Sequence, residues 1–101
     1  MKVIIIGAVG EAKELINRIS SGWDITIIDL DQEKLRKFTT NRQIEKIQGD
    51  GTSTLVLKKA GIENASALIT LTSSDEVNLE VLSLAKQKNI LRLSSSGRAH
   101  V

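Results

Sequence analysis

The chain has 101 residues and a formal charge of +2, with 41% hydrophobic and 26% charged residues, the balance of one ordinary folded domain with a modest core. It contains no Cys, no Tyr, one Trp and one Phe, which excludes a disulfide framework or thiolate metal site and leaves few platforms for stacking bases. The basic residues are scattered from Lys34, Arg36 and Lys37 to Lys58, Lys59, Lys86 and Lys88, so solvated helix faces are expected rather than a nucleic-acid surface.

The opening Met1 and Lys2 followed by an apolar run could pass for a secretory signal, but the run is short and is interrupted by Glu11, Lys13 and Glu14. No stretch approaches the roughly 20 apolar residues that span a bilayer. A reducing cytoplasm is the simplest setting for a chain without cysteine.

The first sixteen residues organise the rest. A β-branched run at residues 3–6 breaks at Gly7 and gives way to apolar positions at Ala12, Leu15, Ile16 and Ile19, which have helical spacing. A strand, a tight turn and a helix follow one another, and that order aims the first helical N–H groups at an anion above the strand end. The dinucleotide fingerprint asks for Gly, any residue, Gly, any two, then Gly or Ala. Read without gaps, the chain offers Gly7, Val9 and Ala12, so the middle place carries a side chain. Two readings are open: Gly10 takes over the close approach, or two residues are missing from the loop and Gly10 stands in the third place.

Ser20, Ser21 and Gly22 form a loop before a second strand at residues 24–29. It ends on Asp29, 22 residues after Gly7, near the spacing of about 20 at which a dinucleotide fold places a carboxylate against a ribose diol. A carboxylate there repels a 2′-phosphate and so favours NAD or an adenine nucleotide over NADP. The alternative role of Asp29 is a helix cap, which suits Asp31 better because Leu30 and Leu35 bracket it as a hydrophobic staple. A short helix to about Phe38, a polar loop at residues 39–42 and a weak edge strand at residues 44–48 follow. Gly49, Asp50, Gly51 and Thr52 make the next turn, with Asp50 at the carboxyl end of that strand. An aspartate between two glycines is also a common loop sequence.

Thr52 or Ser53 can cap a third helix that ends at Gly61, a left-handed cap. Residues 66–71 read as a central parallel strand covered on both faces. Ser73 and Glu76 fit a capping box for a fourth helix running to about Lys88, with Val77, Val81, Leu84 and Ala85 on its buried side. A fifth strand is expected at residues 90–93. Residues 94–101 have no periodicity and are expected to be a polar tail, frayed or not native to the domain, so that the folded domain is residues 1–93. The sum is an α/β, Rossmann-like parallel sheet of order 3-2-1-4-5 with helices on both faces and its switch point beside residues 7–10.

Residues 2–7, 24–31, 49–52, 57–63 and 71–78 together resemble the TrkA-N, or RCK/KTN, domain family, and the likeness runs from residue 1 to about 90. The string at 49–52, followed by Ala60, Gly61 and Ile62 and then by residues 72–78, carries it more specifically than the glycine loop. The resemblance implies a cytoplasmic regulatory subunit that binds NAD(H) or ATP/ADP. It also implies control of a membrane-embedded potassium transporter or channel, a homodimer or larger ring, and no catalysis. By motif position, it implies a pyrophosphate over Gly7, Ala8, Val9, Gly10, Glu11 and Ala12 and an adenosine ribose on Asp29 with Leu30 beside it. An adenine would lie near Asp50 within Gly49 and Gly51, and Thr72 and Ser73 would line the cleft. Family members often carry Gly at position 9 and a basic residue just after it, where this chain has Val9 and Gly10. The family's domain also usually continues beyond this chain's length, so a C-terminal truncation is expected.

Two other readings compete. A dehydrogenase fragment would share the fold, but there is no Tyr or Cys, and the only His is His100, so a hydride-transfer acid would have to be a Lys or a carboxylate. A degenerate domain acting only by protein contact is the other. The carboxylates are dispersed, with no metal-ligand spacing.

Overall fold

The computed structural model describes residues 1–86, 91–94 and 99–100. Strand β1 (Lys2–Ile6) leads to helix α1 (Gly10–Arg18), and β2 (Asp24–Asp29) leads to α2 (Gln32–Lys37). Then come β3 (Ile44–Gln48), α3 (Thr54–Ala60), a 3₁₀ turn (Ile62–Asn64) and β4 (Ala67–Thr70). They are followed by α4 (Asp75–Lys86), β5 (Leu91–Ser94) and β6 (Ala99–His100). The sheet order is β3-β2-β1-β4-β5-β6, parallel except for the antiparallel β5–β6 pair. The expected order 3-2-1-4-5 is therefore present, with one more strand outside β5.

Alternation along each strand divides the core in two, because successive side chains leave a strand on opposite faces. Val3, Ile5, Ile25 and Ile27 meet Ala12 and Ile16 of α1 and Leu35 and Phe38 at α2 on one face. Ile4, Ile6, Ile28 and Leu68 meet Leu57 and Ala60 of α3 and Val81, Leu82 and Ala85 of α4 on the other. Val77 and Leu84 pack on this second layer at partial burial, as their spacing predicts. Burial on both faces is what makes β1 and β4 read as unbroken apolar runs. The weak pattern at β3 has the opposite cause: it forms the sheet edge, and only Ile47 of its five residues is buried.

Helix ends are held partly as the sequence predicts. The Asp31 carboxylate accepts from the Glu33 and Lys34 amides, Ser53 caps α3, and Gly61 ends α3 in the left-handed region. The fourth helix corrects the expected capping box: the Ser74 hydroxyl, not that of Ser73, accepts from the Val77 amide at 3.2 Å. Its expected extension to Lys88 and the start of the fifth strand at Ile90 lie outside the described residues. The tail expected from Ser94 onward takes a different form where it is described. Ser94 ends β5, and Ala99 pairs with Leu93 in β6.

Two long cations close helix C-termini from a distance. The Arg42 guanidinium donates to the carbonyls of Ile16 at 2.8 Å, Ile19 at 2.6 Å and Ser20 at 2.9 Å. Lys46 on β3 donates to the carbonyls of Leu35 and Phe38. Both complement the negative end of a helix dipole. Arg42→Ala is expected to lower stability by about 2–3 kcal/mol, measured by urea denaturation with Trp23 fluorescence. A change within about 0.5 kcal/mol would show that water replaces the guanidinium at no cost.

Candidate functional site

The carboxyl ends of the central strands are stitched together by backbone bonds. The Gly7 amide donates to the Ile28 carbonyl at 2.8 Å, the Gly49 amide to Asp29 at 3.0 Å, and the Leu71 amide to Ile6 at 2.7 Å. The turns that leave β1 and β3 are thereby fastened to the end of β2, and the turn that leaves β4 to the end of β1. Gly7 has φ +115°, and a Cβ there would lie 3.1 Å from the backbone carbon of Leu71. Both the turn and the close approach of β4 require glycine at this place.

Asp29 has a local role that its sequence position did not disclose. One carboxylate oxygen accepts from the Ala8 amide at 2.8 Å, and the other accepts from the Asp31 amide at 2.8 Å. It thus ties the glycine turn to the start of α2. Each oxygen has a further lone-pair direction, so the tether leaves acceptor capacity for a ligand hydroxyl.

The two open readings of the fingerprint are resolved by packing. Ala12 is 0% exposed within the first core layer, so it fills the third place, where α1 comes close to the sheet, and no residue pair is missing. Val9 is half-buried against that same layer. The bare backbone lies at Gly10, the first residue of α1, where a Cβ would meet nothing within 4 Å. Val9 supplies no side-chain cap. The amides of Val9, Gly10 and Glu11 have no acceptor among the described residues. They form an uncapped positive helix end that suits an anion.

Beside this loop lies a cleft of about 200 Å³ that brings together Gly7, Val9, Asp29, Leu30, Gly49, Asp50, Gly51, Thr72 and Ser73, nine of the thirteen candidates. Of the others, Ala8 and Gly10 line an adjoining groove of about 240 Å³ with Lys13, Lys34 and Lys37. Glu11 is exposed and borders neither, and Ala12 is core. The two hollows share Val9 and Lys34. Sequence reasoning passed over Lys34, Ser74 and the apolar Ile6, Ile28 and Val77 that complete the cleft. Lys34 could have been found from its place three residues after the Asp31 cap, which fixes it in the first turn of α2.

Asp50 is held by its own turn. The Thr52 hydroxyl and then the Thr52 amide donate to it, at 2.7 and 2.8 Å, and keep its carboxyl below the usual carboxylate range. Gly49 and Gly51 let this turn lie against Val56 and Ile6, since a Cβ at Gly51 would stand 2.7 Å from the Ile6 side chain. The cleft therefore offers amide donors and a lysine at one end, a tethered carboxylate in the middle, apolar walls, and hydroxyls from Thr72, Ser73 and Ser74. No His among the described residues lines it, and the chain has no Cys or Tyr. Among the described residues, no helix is long and apolar enough to cross a membrane.

Strand order, the glycine turn at the switch point and the cleft beside it define a Rossmann-like α/β domain. A family model for the TrkA-N domain matches residues 3–100, and the chain belongs to that family. The chain is 39% identical over 80 residues to the Trk system potassium uptake protein TrkA of Halomonas elongata, covering 78% of this chain and 18% of that protein. It is 34% identical over 108 aligned positions to a Trk system potassium uptake protein TrkA homolog of Pyrococcus horikoshii, covering 100% of this chain and 47% of the relative. The chain thus spans between about a fifth and about half of these relatives. Among solved structures, the Shewanella denitrificans Kef CTD in its AMP-bound form superposes with a TM-score of 0.70 at 21% identity, over 93% of this chain and 57% of that one. The GsuK RCK domain gives 0.70 at 21% identity over 92% and 20%. A Saccharomyces cerevisiae saccharopine dehydrogenase gives 0.77 at 16% identity over 96% and 22%. These structural likenesses speak to the fold alone.

Proposed function

We propose that this domain binds an adenine nucleotide, NAD(H) or ATP/ADP, in the cleft above β1, β2 and β4. We further propose that it acts as a cytoplasmic regulatory unit of a membrane potassium transporter or channel. The observation that carries the reading is the unit made by Gly7, Ala8 and Asp29. It fixes a carboxylate beside an uncapped helix end, the pairing that suits a ribose next to a phosphate. The TrkA-N membership and the names of the relatives support the link to potassium uptake. The AMP-bound form of the Kef CTD supports an adenine nucleotide as the ligand.

The nucleotide sits with its phosphates over Val9, Gly10 and Glu11, its ribose on Asp29 and its base toward Leu30 and Asp50. Lys34 supplies the positive charge that position 10 lacks. Regulation then follows from exchange of ligands, each shifting the domain only by the difference in its affinity for two conformations. Homodimers or rings would make that shift felt by the membrane partner.

Calorimetric titration with NADH, NAD, ATP, ADP and NADPH tests the reading. Binding of NADH or ATP is expected, with NADPH weaker because Asp29 faces its 2′-phosphate; no binding by any of the five would overturn the proposal. Lys34→Gln is expected to weaken the bound nucleotide about three- to tenfold, with a shallower dependence on salt. An unchanged salt dependence would remove Lys34 from the site. Oxidation of NADH with a panel of hydroxy acids' keto partners or aldehydes would instead favour a dehydrogenase fragment.

A further inference from the structure

Asn78 lies one turn inside α4, is 4% exposed, and belongs to no candidate site set out above. Its Oδ1 accepts from the Thr70 hydroxyl at 2.6 Å, the Thr72 hydroxyl at 2.6 Å and the Thr72 amide at 3.2 Å. Its Nδ2 donates to the Thr72 carbonyl at 3.0 Å. The partners fix the orientation of the carboxamide, since three donors converge on one end and a carbonyl lies at the other. One side chain thus holds both backbone polar groups of Thr72, as a neighbouring strand would.

The far side of the same turn is also secured. The Ser74 amide donates to the Thr72 hydroxyl at 3.3 Å, and the Ser74 hydroxyl caps α4. Between these two anchored residues stands Ser73. It is exposed, lines the cleft, and has neither its amide nor its hydroxyl engaged among the described residues. Had the expected capping box formed, the Ser73 hydroxyl would be used in the helix cap. The actual start of α4, one residue later, leaves it for the cleft.

We propose that Asn78 is a positioning residue of the site: by fastening Thr72 to α4 it presents Ser73 as a ready donor and acceptor to the nucleotide, and it makes α4 move with that wall of the cleft. This assignment rests on the reading of the cleft as a nucleotide site. The physical basis is preorganisation, in which a contact residue is useful only if a packed, hydrogen-bonded neighbour holds it in place.

The test compares Asn78→Ala, Ser73→Ala and their double variant with Thr70→Val, using NADH or ATP, whichever titrates the wild-type chain. Thr70→Val removes a buried bond to the same Asn78 oxygen but leaves Thr72 gripped, so it controls for stability. Asn78→Ala is expected to weaken binding about tenfold and Ser73→Ala about as much, with the double variant no worse than either single one. Thr70→Val should lower the melting temperature while leaving affinity within about twofold. If Asn78→Ala does not fold, Asn78→Asp keeps the shape and the acceptor but loses the donor to Thr72, and the same weakening is expected. Wild-type affinity in a folded Asn78 variant, or losses that simply add in the double variant, would overturn the assignment alone. Failure of the wild-type chain to bind any nucleotide would overturn it together with the reading of the cleft.

Discussion

Gly7→Ala is expected to destabilise the domain by about 2–4 kcal/mol and to abolish nucleotide binding in the fraction that still folds. A non-glycine residue held at positive φ outside the favoured regions costs about 1–3 kcal/mol, and Gly7 has φ +115°. The new Cβ would also stand 3.1 and 3.2 Å from the carbonyl carbon and oxygen of Leu71. Those are backbone atoms at the end of β4 that cannot rotate away, so overpacking adds a penalty on the order of 1 kcal/mol. Against a total stability of about 5–15 kcal/mol, this is a large fraction. Relief requires β1 and β4 to part at their carboxyl ends, which breaks the Leu71-to-Ile6 bond and widens the cleft on the side of Thr72. Urea denaturation of the variant should show a lower midpoint with an unchanged slope. A midpoint equal to that of the parent chain would mean that the turn has an alternative path and that the sheet ends are not the rigid frame described above.

Asp29→Ala is expected to have the second-largest effect, divided between stability and binding. Removing the carboxylate leaves the partly buried Ala8 amide without its acceptor, at a cost of about 1–3 kcal/mol, and frees the Asp31 amide at the entry to α2. The same change removes the charged acceptor proposed for the ribose, a bond that contributes roughly 1.5–3 kcal/mol. A ligand present at 100 times the parent's dissociation constant stabilises the parent by about 2.7 kcal/mol, and at the same ligand concentration that increment should fall to about 0.3–1.3 kcal/mol in the variant. Asp29→Asn separates the two parts, because an amide oxygen can still accept from Ala8 while the charge is gone. The Asn variant is expected to regain the part of the stability carried by the Ala8 bond but not the Asp31 bond, where its NH2 would meet another donor, and to discriminate less against NADPH. If it discriminates as sharply as the parent, Asp29 does not face the 2′ position of the ribose.

The parts of the fold legible in the sequence are those set by local pattern. Alternating and unbroken apolar runs gave the strands, and the weakness of residues 44–48 marked the sheet edge. Asp31 is the cap that its place before α2 predicts, although Leu30 stays 70% exposed and makes no staple with the buried Leu35, and Gly61 ends α3 as the left-handed cap expected after Ala60. What stayed hidden depends on contacts across the fold. Arg42 reaches carbonyls 22 to 26 residues earlier, and nothing near Arg42 in the chain distinguishes it from a solvated arginine. Asp29 could be singled out by spacing, but its bond to Ala8 exists only because β1 and β2 lie side by side.

The glycine loop and the fourth helix show how tertiary contacts settle local ambiguity. Val9 breaks the fingerprint, yet its half-buried packing and the total burial of Ala12 show that the loop keeps the ungapped register. At residues 73–77 the local pattern points to Ser73 with Glu76 as a capping box, whereas the helix is capped by Ser74 on the Val77 amide. The grip of Asn78 on Thr72 lies outside any capping pattern, and it accompanies the choice of Ser74. Lys13 joins Lys34 and Lys37 beside one groove only because α1 and α2 pack on the same face of the sheet.

The proposed nucleotide lies in the cleft between the glycine turn, the end of β2 and the β4 turn. Two-dimensional ¹H–¹⁵N spectra recorded during titration with NADH and with ATP test it residue by residue. The largest amide shifts are expected on Val9, Gly10, Glu11, Leu30 and Ser73, with Arg18 and Gly22 at the opposite end of α1 unmoved. Shifts gathered away from these positions, or none at saturating concentrations in a well-dispersed spectrum, would contradict it.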